Sequence, residues 1–270
     1  PLAFLVPRDH ASQRRVTSGN AELDEMCGGG WYRDAIVLLT GPTGSGKTLT
    51  SLRFAAAGAA AGERVLFYSF DESREQLARN ASGWGLDLDA IEASGLLLSI
   101  CDYPEVASLE DHFLRLRRAI EEFAPARLVI DTLSALERIA TGRALLDFVL
   151  ALGGVLRNRE ITTLMTSGPA GRNGSGAPAS IATEIASFAD VSILLRYVEQ
   201  PGRIGRVIAV LQTRGSAHDH SIREVTIHPD GMHIGDPWPG ITHVLVETPL
   251  GLAGQVLTGL QFDPDGEDPL

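Results

Sequence analysis

Short apolar runs alternate along the chain with longer stretches in which apolar side chains recur every three or four positions. The runs at 35–40, 65–69, 128–131, 162–166 and 191–196 read as buried β-strands. Two later runs, 206–212 and 223–228, alternate apolar with polar residues and predict a β-hairpin. Leu109, Phe113, Leu116, Ile120 and Phe123 fall on one face at helical spacing. Segments 47–61, 73–84 and 143–158 also predict helices. Strands and helices that alternate in this way imply an α/β fold, with a mainly parallel central sheet covered by helices on both faces. Ligands bind such sheets at the carboxyl ends of the strands.

Residues 1–15 show no periodicity and read as an arm or linker; 16–235 then form the α/β domain. A C-terminal extension, 236–270, ends in an acidic tail at 263–270 that predicts disorder. With 44% hydrophobic residues, the 270-residue chain can bury a sizeable core. The net charge of −11 argues against nucleic acid as a partner. The loop at 167–179, the one long enough to contact a strand of nucleic acid, carries a single charge, Arg172. Cys27 and Cys101 fit no zinc or disulfide spacing. No apolar run approaches the ~20 residues that cross a bilayer, and no signal peptide is read, so the expected location is cytoplasmic, with no membrane partner.

The sharpest chemistry lies at Gly41-Pro42-Thr43-Gly44-Ser45-Gly46-Lys47-Thr48. A β-like run leads into this segment and a helical one leaves it, the context of a P-loop whose amides and helix N-terminus face phosphate. Lys47 then reaches the β- and γ-phosphates of ATP, and the Thr48 hydroxyl ligates Mg²⁺. Lys47 is also the chain's one lysine; every other basic side chain among its 23 Lys and Arg is Arg. A compact ammonium fits a loop wrapped around phosphates where a broad guanidinium does not. The run 127–131 ends in Asp131, the Walker-B position for a second metal ligand. Asp71 and Glu72 follow the strand at 65–69. They are placed to orient or deprotonate a nucleophile, with Glu72 also near the metal; alternatively, one of them caps the next helix.

These motifs resemble the KaiC circadian-clock ATPases, RecA-like P-loop proteins, and specifically their second, C-terminal repeat. The resemblance runs from about 15 to about 233. It is carried by Ser18-Gly19, Leu23-Asp24-Glu25-Met26-Cys27-Gly28-Gly29-Gly30, the P-loop, Asp71-Glu72-Ser73, Arg79-Asn80 and Trp84-Gly85. It continues through Ile130-Asp131-Thr132-Leu133-Ser134-Ala135-Leu136, Arg214-Gly215-Ser216, His218-Asp219 and Ile222-Arg223-Glu224. The resemblance implies a homo-hexameric ring with ATP held between neighbours. One subunit would supply Thr43, Gly44, Ser45, Gly46, Lys47, Thr48 and Leu49, with Trp84 near the adenine. Its neighbour would supply Arg206, Gln212, Thr213, Arg214, Ser216, His218 and Asp219. From the residues alone, Trp84 reads equally well as a core aromatic, and Arg206 and Arg214 as solvated strand charges.

The family's second repeat phosphorylates itself on an adjacent Ser-Thr pair. Ser187 falls on the phosphothreonine position, but the phosphoserine position is Ala186, which has no hydroxyl. A two-step cycle on that pair is therefore impossible; Ser187 remains as acceptor, with Thr183 second. The family's trans-acting Lys is replaced by Gln212, which exchanges a charge-assisted hydrogen bond for a neutral one. Beyond about 235 the resemblance fades, so the family's activating partner is not carried over; KaiB-like or other signalling proteins are the partners it still suggests. The expected function is a Ser/Thr autokinase with slow ATPase activity, with Lys47, Asp71, Glu72 and Arg214 catalytic. A signalling ring cemented by nucleotide without phosphoryl transfer is the alternative, and a RecA-type nucleic-acid motor is a third reading that the charge disfavours.

Overall fold

The computed structural model describes residues 12–168, 181–200 and 202–238. The acidic tail, most of the loop at 167–179 and most of the N-terminal arm lie outside them.

The chain opens with β1 (Arg15–Val16), α1 (Ala21–Met26) and β2 (Trp31–Tyr32), and β1 and β2 pair as a small antiparallel ribbon. The alternating section follows: β3 (Ile36–Thr40), α2 (Lys47–Ala60), β4 (Val65–Ser69), α3 (Arg74–Gly83), α4 (Leu88–Ala93), β5 (Leu97–Cys101), α5 (Leu109–Phe123) and β6 (Arg127–Asp131). Next come α6 (Leu133–Leu136), α7 (Gly142–Asn158), β7 (Thr162–Ser167) and α8 (Ile181–Phe188). Four longer strands close the described chain: β8 (Val191–Gln200), β9 (Arg203–Thr213), β10 (Arg223–His228) and β11 (Gly231–Pro237). The main sheet has nine strands in the order β11-β10-β9-β8-β3-β7-β6-β4-β5. From β8 to β5 all neighbours run parallel, whereas β9, β10 and β11 are added antiparallel at one edge.

The central strands are buried on both faces, so they read as continuous apolar runs. Side chains that alternate along them feed two cores. Val37, Leu39, Phe67 and Val129 pack on one side with α2, and Ile36, Leu38, Tyr68 and Ile130 on the other with α5 and α7. Each fully buried Leu, Ile or Val contributes on the order of 1.5–3 kcal/mol. Helix α5 shows how sequence makes its element. The Ser108 hydroxyl accepts from Asp111 N as N-cap, Leu109, Leu116 and Ile120 are buried, and Ala124 ends the helix in a left-handed conformation.

The fold is the α/β, RecA-like P-loop class expected, with antiparallel strands at its C-terminal edge. The small β1–β2 ribbon was not anticipated, nor were two strands of the main sheet, β5 and β11; the latter starts on Gly231 and ends on Pro237, poor strand formers both. The two alternating runs expected as a hairpin, now β9 and β10, do pair antiparallel, but residues 214–222 intervene. Closer connections join β8 to β9 and β10 to β11.

Candidate functional site

The P-loop leaves the carboxyl end of β3 and enters α2 at Lys47. It borders a cavity of about 500 Å³ at the carboxyl ends of the parallel strands, lined also by Asp71, Glu72, Trp84 and Asp131. Gly46 is the N-cap of α2 with φ 112°, and a Cβ there would lie 2.5 Å from Met232 Cε. Only glycine meets both demands. Helix α2 has no side-chain cap, so its first amides are open to an anion. Lys47 Nζ donates to Gly41 O at 2.7 Å and to Pro42 O at 3.0 Å. Burial pulls its pKa below the usual ammonium value, against the opposing pull of Asp131 and Asp71.

Asp131 ends β6 in the interior, where the Thr166 hydroxyl donates to its Oδ1 and Thr48 also hydrogen-bonds it. Burial nevertheless pushes the Asp131 carboxyl above its ordinary range. A hydroxyl beside a buried carboxylate is a hard-oxygen donor set suited to Mg²⁺. Among the described residues no group of three or more His, Cys, Asp or Glu is arranged to hold a metal unaided. A cation at Thr48 and Asp131 therefore fits best with phosphate oxygens and water completing its shell.

The capping role weighed for Asp71 and Glu72 belongs to Ser73. Gln76 N donates to the Ser73 hydroxyl, and the Gln76 side chain accepts from Ser73 N. Asp71 and Glu72 are thereby left to the cavity. Asn80 Nδ2 donates to Glu72 Oε2 at 3.0 Å and holds that carboxylate. Burial, then the nearby Asp131 and Asp71, raise the Glu72 pKa above the normal carboxylate value. Such a shift suits a group that accepts a proton. Trp84 is half-buried against the core and also lines the cavity. Ser45 is buried inside the loop and Leu49 inside α2.

The second set of expected residues does not gather at this end. Strand β8 runs parallel to β3, and β9 returns antiparallel, so the two ends of β9 lie at opposite edges of the fold. At the P-loop end, Arg206 Nε donates to Gly44 O of its own chain at 3.3 Å and lies over the Tyr197 ring. At the other end, Gln212 Nε2 donates to Ala189 O at 3.2 Å, and the Arg214 side chain donates to Ser187 O. The seven steps along the strand from Arg206 to Thr213 span ~23 Å at about 3.3 Å each. Thr213 is buried. Ser216 accepts from Arg15 at 2.7 Å, His218 stacks near His220, and Asp219 pairs with Arg223 at 2.7 Å. Ser187 is exposed at the end of α8, its hydroxyl donating to Glu184 O, and Thr183 lies in the same helix.

Arg138 and Ile227 also line the cavity and were not singled out in the sequence; Ser134, named there only within the run 130–136, lines it too. Ser134 and Arg138 follow β6 closely, and their place just after the Walker-B aspartate was a readable signal. Ile227 arrives from β10, and nothing local announces it.

Residues 16–238 match the family model described as "ATPase: KaiC". The chain belongs to the KaiC family. It is 44% identical to the circadian clock protein KaiC3 of Synechocystis over 93% of its own length and 49% of the relative's. The circadian clock oscillator protein KaiC of Thermostichus vulcanus is 42% identical over 92% of this chain and 48% of its own length. The corresponding protein of Picosynechococcus is 40% identical over 94% and 49%. The chain thus spans about half the length of the curated relatives it matches. No helix among the described residues is long and apolar enough to cross a membrane.

Proposed function

We propose that this KaiC-family ATPase unit works in a homo-hexameric ring as a Ser/Thr autokinase with slow ATP hydrolysis, in clock-like or other signalling. The observation that carries the reading is the separation of its two half-sites. The P-loop, Asp131 and the Asp71–Glu72 pair sit at one end of the sheet, and Ser187, Gln212 and Arg214 at the other. A chain with both halves facing apart cannot complete a site alone, but head-to-tail neighbours can.

In that arrangement Lys47 and the α2 N-terminus bind the phosphates of ATP, and Thr48 and Asp131 hold Mg²⁺. Mg²⁺ supplies charge neutralisation on the β- and γ-phosphates. Glu72 takes the proton from the attacking Ser187 hydroxyl of the neighbour, or from water, as the bond from the γ-phosphorus to the β-phosphate oxygen breaks and ADP leaves, and Asp71 keeps Glu72 basic through its charge. Arg214 of the neighbour stabilises charge on the phosphoryl group in flight, a role worth on the order of 10³–10⁵ in rate. The experiment is intact-mass measurement with peptide mapping after incubation with Mg-ATP. A phosphate on Ser187, lost in Ser187→Ala and in Glu72→Gln, is the expected result.

A ring cemented by ATP without phosphoryl transfer is the second reading, favoured by Ala186 and Gln212, which replace a hydroxyl and a charge of the family pattern. It predicts nucleotide-dependent assembly and no added mass. KaiB-like or other signalling proteins are the proposed partners of either form, and the cytoplasm its proposed location.

A further inference from the structure

Arg53 lies on α2, about 1.7 turns beyond Lys47, and its guanidinium leaves the helix toward two backbone turns. Nη2 donates to Trp84 O at 2.8 Å, where α3 ends, and also to Asp230 O, in the turn between β10 and β11. The second turn is fixed again next door, where Asn20 Nδ2 donates to Met232 O at 2.7 Å. Gly231 adopts φ 134°, and a Cβ there would lie 2.9–3.2 Å from the Arg53 guanidinium. A side chain at 231 would therefore displace the arginine. The two turns so joined deliver Trp84 and Ile227 to the nucleotide cavity, which Arg53 itself does not line.

We propose that Arg53 is a positioning residue for the base of the bound nucleotide. By holding Trp84 and the β10–β11 turn to the helix that begins at the P-loop, it fixes the apolar wall against which a planar base stacks. Phosphate capture and base capture then share one rigid element. Both contacts are made to backbone carbonyls, so they do not occupy the Trp84 ring, which lines the cavity. Stacking depends on contact geometry, and a wall free to shift loses base affinity while the P-loop keeps its grip on phosphate. The inference rests on the ATP-site reading above.

The test compares binding of Mg-ATP and of Mg-tripolyphosphate, which has no base, to the full chain and to Arg53→Ala, Arg53→Lys and Lys47→Ala. Arg53→Ala is expected to weaken Mg-ATP roughly tenfold, the scale of one impaired base-stacking contact, and to leave tripolyphosphate unchanged. Arg53→Lys, able to reach one carbonyl, falls between, and Lys47→Ala loses both ligands. Equal loss of both ligands in Arg53→Ala, or loss of neither, overturns the proposal while the nucleotide site stands. A wild-type chain that binds neither ligand overturns the nucleotide reading and this inference together. Should Arg53→Ala fail to fold, Arg53→Lys decides: a deficit confined to Mg-ATP supports the positioning role, and parallel deficits or none overturn it.

Discussion

Single residues in the phosphate loop were legible because each type has few substitutes. Gly46 illustrates this. Its positive φ and the neighbouring Met232 exclude a side chain, so Gly46→Ala is expected to cost on the order of 1–3 kcal/mol of stability and to weaken nucleotide binding, measurable by thermal melts with and without Mg-ATP. Lys47→Ala removes a charge-assisted contact to phosphate, and ATP affinity should fall roughly 10- to 100-fold by calorimetric titration. A change below threefold would show that the ammonium stays on Gly41 O and Pro42 O in the complex. Arg53 and Ile227 could not be read in the same way. Their neighbours come from distant segments, and an isolated Arg on a helix or Ile on a strand carries no signature of what tertiary packing brings beside it.

Among elements, the central strands were plain from their unbroken apolar runs. The edge strands were not, because a strand with one solvated face dilutes its pattern, and β11 dilutes it further with Gly and Pro. The join between elements at the amino ends of the strands was also hidden. Arg127, at the start of β6, is almost fully buried over Phe54. It donates to Glu63 Oε2 at 2.7 Å and to Thr17 O at 2.8 Å, while Arg33 pairs with Glu63 from the other side. Burial pushes the Glu63 carboxyl upward, but the hydrogen bonds and charges of Arg127 and Arg33 outweigh it, so its pKa falls below normal. A depressed carboxylate stabilises the fold above its unfolded pKa and loses that contribution as pH drops through the folded value. Glu63→Gln should therefore destabilise the protein at neutral pH by about 1–2 kcal/mol, the cost of exchanging charge-assisted hydrogen bonds from Arg127 and Arg33 for neutral-acceptor ones. The gap from wild type should close as pH falls below the ordinary carboxylate range. A gap constant with pH, in denaturant melts across that range, would show that shape rather than charge is at issue.

At the scale of the whole molecule, the P-loop half of the site could be located from sequence because its residues follow strands of one sheet. The trans half depended on the direction of β9, which only the topology fixes. If the two halves meet between neighbours, Lys47→Ala and Arg214→Ala are each inactive alone, since one lacks the phosphate grip and the other the opposing charge. Mixed one to one, they should regain about a quarter of wild-type ATPase per interface, the share of contacts at which two intact halves meet by chance. No recovery on mixing would mean that each chain hydrolyses ATP with its own residues alone. The solitary lysine bears on the experiments that would follow. A chain with one side-chain amine, half-buried and holding its proton less tightly than a surface ammonium does, answers amine-directed reagents at a single internal address besides its terminal amine. Acylation there would report nucleotide occupancy, one tag for each empty loop above the constant tag on each terminal amine, and a ring with some loops filled and others empty would separate by mass into discrete, countable species.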